Sequence, residues 1–379
     1  MIYYPKSGIK IFRRFIMKKR NLVLYASCIP VKGYTRSLIY CLQEALYYPI
    51  PNSLYDLLYV GKGCLDLDKI ASELSGSNLT IFNDYVQFLL DKRLAFCTNT
   101  PQLFPRLICD WESPSQVTNA IIYIDNSNYT ISDLQSIIMQ LDDMICQCIE
   151  LRFKINLSDK ILIPILNLFK MSIVESIEIL AIGQFNHLKI LENNLILKKF
   201  PRVKRVTVYN TPEYHKSIID DAILEWIPES YLESKCGTIT HRSLIFSYPF
   251  FEEACNYSSC LNRKVCIDAT GNVRNCPASK HIWGNVKNSS LQSIITQPRF
   301  QNLWKITKES VEVCKYCEFR FACPDCRIHI ANMKYYLSHP KYCKYNPFIG
   351  KWQHESGFKS IESCGYYDET GKFNLYSSF

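Results

Sequence analysis

The chain has 379 residues, of which 47% are hydrophobic and 21% are charged, a composition that excludes a disordered or low-complexity protein. Its length suits two or three domains with hydrophobic cores. The net charge of +9 is concentrated at the amino end, because residues 1–20 carry seven basic side chains and no acidic one. The other 359 residues carry only +2, so we expect neither a nucleic-acid-binding nor a membrane-binding protein.

Residues 1–20 form a basic extension, and Met17 is an alternative start of the chain. The extension lacks the continuous apolar stretch and the small-residue cleavage site of a secretory signal. The best candidate for a transmembrane helix, residues 161–169, is interrupted by Pro164 and Asn167. We therefore expect a soluble protein.

Residues 21–104 predict a small domain in which strands precede helices. The residue pattern indicates strands at 22–26, 37–41 and 46–49. Three helices are indicated by apolar side chains at helical spacing, at Leu54, Leu57 and Leu58, across residues 67–74, and at Phe82, Tyr85, Val86 and Leu89. Three strands followed by three helices are typical of a winged-helix-like unit.

Residues 105–235 change to strands that alternate with helices. Strand candidates lie close to 28 residues apart and begin near Asn119, Ile149, Ser176 and Val203. Amphipathic helical segments lie between them, at Leu134, Ile137, Ile138 and Leu141 and over residues 185–197. This alternation predicts parallel βαβ units in a multidomain α/β protein. We expect a partial barrel, because four clear units fall short of the eight in a closed barrel.

Cysteine is the unusual feature of the composition. The chain has 18 cysteines, and 11 of them lie in residues 236–379. A chain of this size without an export signal favours metal or cluster ligation over a disulfide framework. The array has a Cys-x10-Gly-x4-Cys segment, 37 further residues, a Cys-x2-Cys-x5-Cys-x2-Cys segment and a final cysteine after 16 more. Its members are Cys260, Gly271, Cys276, Cys314, Cys317, Cys323, Cys326 and Cys343.

Spacing alone leaves three interpretations of this array open. A Cys-x2-Cys turn directs two sulfurs toward one site, so one interpretation is a zinc ion bound by Cys314, Cys317, Cys323 and Cys326. The second is a pair of [4Fe–4S] clusters, because the seven array cysteines and one upstream cysteine supply four thiolates for each cluster. The third is a set of reduced cysteines in a hydrophobic core.

The array resembles the SPASM domain, the twin-cluster carboxy-terminal module of radical-SAM peptide-modifying enzymes. The surrounding residues agree, with ID at 267–268, GN at 284–285 and CKYCEFRFACPDCR at 314–327. The chain is also similar to the peptide maturases of grasp-with-spasm systems in CIPVKG (28–33), IPNSLYDLL (50–58), LFPRL (103–107), CLNRK (260–264) and NCPASK (275–280). One departure is the last Cys-x2-Cys pair of the array, where the family usually has three intervening residues.

The resemblance implies that residues 236–379 form a SPASM domain with two [4Fe–4S] clusters. It implies that the first cluster is bound by an upstream cysteine together with Cys260, Cys276 and Cys326. The second cluster is implied to be bound by Cys314, Cys317, Cys323 and Cys343. As the upstream ligand the resemblance favours Cys236, which belongs to a Cys-Gly pair, and Cys255 is the alternative.

Radical-SAM enzymes cleave S-adenosylmethionine at a cluster held by a Cys-x3-Cys-x2-Cys motif, which follows the first barrel strand. This chain contains no such motif, and the corresponding loop, DNSNYT at 125–130, contains no cysteine. We therefore expect residues 105–235 to be a degenerate radical-SAM-like core and do not expect S-adenosylmethionine as a cofactor. No other motif identifies catalytic residues, so the resemblance implies either a maturase or an accessory protein.

Residues 21–104 resemble the leader-peptide recognition element that accompanies such cores. The resemblance implies that a precursor leader adds as a strand beside Leu46, Tyr47 and Tyr48, with apolar side chains near Phe82, Tyr85 and Leu89. It also implies an ATP-grasp peptide ligase as a partner and a location in the bacterial cytoplasm. The alternatives are a structural cap for residues 21–104 and, for the whole chain, a non-catalytic zinc-binding adaptor that presents a peptide to an enzyme.

Overall fold

The computed structural model describes residues 20–125, 130–155, 157–181, 195–231 and 236–377. Most of the basic extension with Met17, most of the helical segment expected at 185–197, and residues 126–129 of the expected loop lie outside these ranges. In the part of the chain that is described, no helix combines the length and the apolar character needed to cross a membrane. The architecture is mixed α/β.

The amino-terminal unit contains six strands and three helices within its described residues. They are β1 (Asn21–Leu24), β2 (Cys28–Val31), β3 (Ser37–Cys41), β4 (Leu46–Ile50), α1 (Asn52–Val60), β5 (Cys64–Asp66), α2 (Leu67–Glu73), α3 (Gly76–Asp91) and β6 (Ala95–Thr98). One antiparallel sheet has the order β2-β3-β4, and the other has β1 between β5 and β6. The expected elements are present in the expected order, and β2, β5 and β6 are additional. The winged-helix-like assignment stays a prediction.

The central unit is built on parallel strands connected by helices. Its elements are β7 (Asn119–Ile124), α4 (Ile131–Asp143), β8 (Cys148–Phe153), α5 (Asp159–Leu168), β9 (Ser176–Ala181), α6 (Leu195–Lys199), β10 (Val203–Tyr209), β11 (His215–Ile219) and β12 (Ala222–Ile227). Strands β7, β8, β9 and β10 lie side by side and parallel, as the spacing predicted. Strand β12 continues in parallel beside β10, and β11 pairs with β12 in the antiparallel direction.

The carboxy-terminal part extends the same sheet and then continues in short elements. These are α7 (Tyr248–Asn256), β13 (Lys264–Ile267), β14 (Asn272–Arg274), β15 (Gly284–Asn285), α8 (Leu291–Ile295), α9 (Pro298–Gln301), β16 (Tyr345–Asn346), β17 (Lys351–Trp352), β18 (Gly365–Tyr367) and β19 (Phe373–Leu375). Because β13 pairs in parallel with β7, the large sheet has the order β11-β12-β10-β9-β8-β7-β13-β14-β15. Among the described strands, the sheet does not close on itself and ends at β11 and β15. The expected partial barrel stays a prediction.

Strand β8 shows how the two faces of the large sheet differ. Ile149, Leu151 and Phe153 are buried in the main hydrophobic core, which also contains the apolar side of α4. Glu150 and Arg152 lie on the opposite face, because side chains alternate along a strand. The second face of the sheet is therefore polar in this region.

The β2-β3-β4 sheet packs against the carboxy-terminal part of the chain. Their shared core contains Val31, Leu38, Tyr40, Leu42, Phe251, Phe319, Ala322, Tyr345 and Trp352. The hydroxyl of Tyr40 donates to the carbonyl of Glu318 at 2.6 Å. The buried carboxylate of Glu318 accepts from Arg36 Nε at 2.9 Å and from the Tyr345 hydroxyl at 2.5 Å. Glu318 is therefore the polar anchor of this interface.

The substitution Glu318→Gln tests this anchor, because it keeps the shape of the side chain and removes its charge. We expect the free energy of unfolding to fall by about 2–3 kcal/mol. This loss is smaller than the usual loss for a fully buried ion pair, because the Arg36 side chain is 35% exposed. The control is Asp56→Asn in the exposed pair of Lys32 and Asp56, which should cost at most about 1 kcal/mol. Urea denaturation measures both variants, and equal losses would contradict the anchoring role.

Candidate metal centres

Cys236, Cys260, Cys276 and Cys326 come together in the structure and are named quartet I. Burial raises the pKa of Cys236, Cys260 and Cys276, and neighbouring thiolates of the quartet raise it further. Gly237 packs directly on this quartet, because a Cβ atom there would lie 2.7 Å from the sulfur of Cys326. Its φ of +82° also favours glycine. The Cys236-Gly237 pair thus needs both of its residues.

Cys314, Cys317, Cys323 and Cys343 form a second group, named quartet II. Burial raises the pKa of Cys314, Cys317 and Cys343, in the last case to about 12, and the other thiolates of the quartet add to each shift. Ile239 pairs with Cys343 in an isolated parallel bridge. The segment that carries Cys236 therefore also runs past quartet II.

Cys323 and Cys326 belong to different quartets although only two residues separate them. Asp325 has a φ of +62°, and this left-handed conformation turns the chain between the two sulfurs. The N–H of Asp325 donates to the sulfur of Cys323 at 3.4 Å, whereas the N–H of His329 donates to that of Cys326 at 3.3 Å. This turn separates the four cysteines of the zinc interpretation, which are Cys314, Cys317, Cys323 and Cys326. Within the described ranges, no three His, Cys, Asp or Glu side chains, those of the two quartets included, are arranged to hold a single metal ion.

A buried cluster of three charged side chains, Lys308, Asp325 and Arg327, lies between the quartets. Lys308 Nζ is 2.8 Å from Asp325 Oδ1, and Arg327 Nε is 3.0 Å from the same carboxylate. These side chains are 4% exposed or less. Besides burial, the charge of Asp325 raises the pKa of Cys260 in quartet I and of Cys314 in quartet II. One carboxylate therefore lies within electrostatic range of both sites.

Hydrogen-bond donors surround the quartet sulfurs. Lys308 Nζ donates to the sulfur of Cys314 at 3.8 Å. Burial raises the pKa of Cys276 to about 11, and the N–H groups of Ala278 and Ser279 lower it by bonding to the sulfur. Buried thiols stay protonated unless positive charge compensates the thiolate, and the iron atoms of a cluster supply that charge. A four-cysteine donor set with N–H groups aimed at sulfur therefore fits a [4Fe–4S] cluster.

Cys255, the alternative upstream ligand, lies against Cys109. Burial raises the pKa of Cys255, and the charge of Cys109, which is hydrogen-bonded to it, raises it further. Cys28 and Cys41 form a comparable pair as direct partners across β2 and β3. The geometry favours Cys236 as the fourth member of quartet I, and the ligand roles themselves stay predictions.

Two of the helix residues expected to contact a leader peptide are inside the protein. Phe82 and Leu89 are buried in the core of the amino-terminal unit and offer no surface to a peptide. Tyr85 is half-buried and lines a cavity of about 550 Å³ between α1, β5, α2 and α3. Its hydroxyl is hydrogen-bonded to that of Ser53 at 2.7 Å. Phe82 lines the same cavity although it is 4% exposed, so Leu89 is the one of the three residues that does not reach it.

The three expected contact residues on β4 differ in their surroundings. Leu46 is 49% exposed. The Tyr47 hydroxyl is 2.6 Å from His241 Nε2, so this tyrosine belongs to the interface with the carboxy-terminal part. Tyr48 packs against Phe88 of α3. The two tyrosine rings are already engaged within the chain, and Leu46 is open to solvent.

A cavity of about 560 Å³ lies over the polar face of the large sheet and reaches Cys236. Arg152 dominates its wall, with its guanidinium bonded to Glu150 at 2.6 Å and to the hydroxyls of Tyr123 and Tyr231 at 2.8 Å each. Because these partners engage the guanidinium, Arg152 shapes the cavity instead of offering a free cation. The region expected to be a degenerate core thus has a polar cavity beside quartet I.

Sequence reasoning missed the charged residues that accompany the quartets. Glu318, Asp325 and Arg327 stand inside the cysteine-rich stretch CKYCEFRFACPDCR, and Lys308 precedes it. The sequence did contain a signal for them, because charged residues stand among cysteines that are expected to lie together inside the protein. Buried charges are kept in proteins only when they are paired, and here Asp325 pairs with Lys308 and Arg327 whereas Glu318 pairs with Arg36.

The substitution Lys308→Met removes the ammonium group and leaves Asp325 with Arg327 alone. We expect the free energy of unfolding to fall by about 3 kcal/mol, the lower end for a broken buried pair, because one partner remains. Lys305→Met, at an exposed position, is the control and should change it by no more than about 0.5 kcal/mol. Urea denaturation of anaerobically purified protein compares the two, and a loss no larger than the control's would contradict the role of Lys308.

The solved structures that match this chain include SuiB of Streptococcus suis, in a crystal structure with S-adenosylmethionine bound. Its TM-score is 0.32 and its sequence identity is 11%, and the match covers 84% of this chain and 98% of that chain. A TM-score this low does not establish a common fold.

The family match is confined to the carboxy-terminal part of the chain. No curated protein matches the chain. Residues 255–318 match the model of the SPASM family, an iron–sulfur cluster-binding domain. The matched range contains two cysteines of each quartet, namely Cys260, Cys276, Cys314 and Cys317. The carboxy-terminal part of this chain is therefore SPASM-related and of an iron–sulfur-binding type.

Proposed function

We propose that this chain is an iron–sulfur maturase or accessory protein in the biosynthesis of a ribosomally made, post-translationally modified peptide. It binds the leader region of the precursor peptide through its amino-terminal unit. It acts with an ATP-grasp peptide ligase in the bacterial cytoplasm, as a member of the grasp-with-spasm type.

The observation that carries this proposal is the assembly of eight cysteines into two quartets within and beside the SPASM-matching residues. Quartet I would hold one [4Fe–4S] cluster and quartet II the other. When bound, such clusters transfer single electrons or stabilise the domain that holds them. The residues of this chain contribute thiolates, N–H donors and the compensating charge of Lys308 and Arg327.

Peptide binding is supported by the arrangement of the amino-terminal unit. Strand β4 is an edge strand of its sheet, and edge strands accept an added strand through main-chain hydrogen bonds. Of the expected contact residues, Leu46 is exposed, and Tyr47 and Tyr85 each line a cavity. The unit is anchored through Glu318, the neighbour of Cys317 in quartet II. A peptide held on it would therefore be held beside the cysteine quartets.

Iron content tests the cluster proposal. Protein purified without oxygen should contain about eight iron atoms per chain and absorb broadly near ~400 nm. Cys260→Ser and Cys317→Ser should each lower the iron content to about four atoms per chain, because each removes a ligand of one quartet. Cys64→Ser, a half-buried cysteine of the amino-terminal unit, is the matched control and should leave the iron content unchanged. A colourless preparation that contains zinc would favour the adaptor and contradict the cluster proposal.

Fluorescence anisotropy with the labelled leader of the precursor peptide tests recognition. We expect saturable binding, weakened at least tenfold by Tyr85→Glu, because the new carboxylate would face the cavity that apolar leader residues are proposed to enter. Tyr336→Glu, at a position 65% exposed in the carboxy-terminal part, is the control. Absence of binding to the intact protein would refute the recognition role.

A further inference from the structure

The cavity between β4 and the carboxy-terminal part has a volume of about 950 Å³. Tyr47 and Pro49 of β4 line one side of it, and Arg242, Lys344 and Trp352 line the other. The cavity thus runs along a strand of one unit and is closed by residues of another. The positively charged residues of this cavity, Arg242 and Lys344, belong neither to the leader contacts expected on α3 nor to the cysteine quartets.

The backbone of β4 is open toward this cavity. Its inner edge pairs with β3 from Leu46 to Ile50. Across the described part of the chain, no other segment hydrogen-bonds to its outer edge. An unpaired strand edge binds an extended peptide through main-chain groups, whatever the sequence of that peptide. Selectivity must then come from the side chains around the edge.

Those side chains carry an excess of positive charge. Arg242 and Lys344 have no carboxylate within 4.0 Å among the described residues, whereas Arg36 is paired with Glu318. The lining carboxylate, Glu355, accepts the N–H of Trp352 at 2.5 Å. The lining of the cavity therefore carries two unpaired cations, Arg242 and Lys344, against one carboxylate, Glu355, and keeps an excess of positive charge.

We propose that this cavity selects an extended peptide segment with acidic side chains at alternating positions, which pairs with the outer edge of β4. Successive side chains of a strand point to opposite faces, so every second residue of the bound segment meets Arg242 and Lys344. This inference rests on the proposed peptide-binding function and adds to it the charge and the spacing of the residues that are recognised.

The positive charge of the cavity argues against the basic extension, residues 1–20 of this chain, as its occupant. Residues 1–20 carry seven basic side chains and no acidic one, so the cationic wall of the cavity would repel this extension. A nucleic acid would satisfy the cations but could not pair with the main-chain groups of β4. The observations together favour an acidic peptide.

The test uses fluorescein-labelled twelve-residue peptides and fluorescence anisotropy with the full chain. We expect a peptide of alternating Glu and Val to bind at least tenfold more tightly than its Gln and Val counterpart. A peptide with the same composition in two blocks, six Glu and then six Val, should also bind at least tenfold more weakly. Hydrogen exchange should show slower exchange of the amides of Leu46, Tyr47, Tyr48 and Ile50 when the alternating peptide is bound, Pro49 having no amide hydrogen.

The variant Arg242→Glu/Lys344→Glu should lose the preference for Glu and bind an alternating Lys and Val peptide more tightly. Lys334→Glu/Lys359→Glu, which reverses two exposed charges elsewhere, is the matched control. Equal binding of the Glu and Gln peptides, or an unchanged preference in the first variant, would overturn the inference. Tighter binding of a labelled twelve-nucleotide thymidine strand than of the Glu peptide would overturn it in favour of a nucleic-acid site.

The natural leader separates this inference from the proposed function. If the leader binds and Arg242→Glu/Lys344→Glu leaves its affinity unchanged, the charge selection is wrong and leader recognition stands. If the alternating Glu peptide binds in the expected manner and the leader does not bind, the charge selection stands and the proposed function is wrong.

Discussion

The cysteines of the two quartets cannot lie together as thiolates unless positive charge lies close to them, and this constraint organises the carboxy-terminal part of the chain. Lys308 and Arg327 supply fixed positive charge, and Asp325 holds both of them between the quartets. Backbone N–H groups reach the sulfurs of Cys323 and Cys326 from the loops that carry them. The remaining positive charge would come from the iron atoms of the proposed clusters. The interior of this region contains paired charges as well as apolar side chains. Short strands and turns can place both kinds of side chain inside the protein.

The same constraint explains how the amino-terminal unit is attached. Glu318 follows Cys317 directly, and its buried carboxylate requires a cation, which Arg36 supplies from the other end of the chain. Tyr40 adds a hydrogen bond to the Glu318 carbonyl, and aromatic side chains of both parts close the core around it. The proposed peptide-binding edge and the cysteine quartets therefore share one rigid interface. Such coupling suits a protein that holds a peptide in a defined position relative to its cofactors.

Much of the fold could be predicted locally, and most errors have a physical cause. Helix α1, with buried Leu54 and Leu58, and the four central strands follow from patterns that depend on neighbouring residues. Strand β2 was not predicted, and it contains Pro30, which a strand tolerates here because β2 lies at the edge of its sheet. Phe82 and Leu89 were expected at a peptide-binding surface, but periodicity identifies an apolar face without showing what covers it. The protein's own core covers them.

The sequence by itself indicated the type and order of most elements and the seven spaced cysteines, and its resemblance to the SPASM domain implied Cys236 or Cys255 as the eighth ligand. These properties depend on backbone preferences and on spacing along the chain, which are local. Only the tertiary structure revealed the left-handed turn at Asp325 between Cys323 and Cys326, the contact of Cys255 with Cys109, and the cationic cavity beside β4. Those outcomes depend on burial and on charge pairing between residues far apart in the sequence, and such energies exist only after the chain has folded.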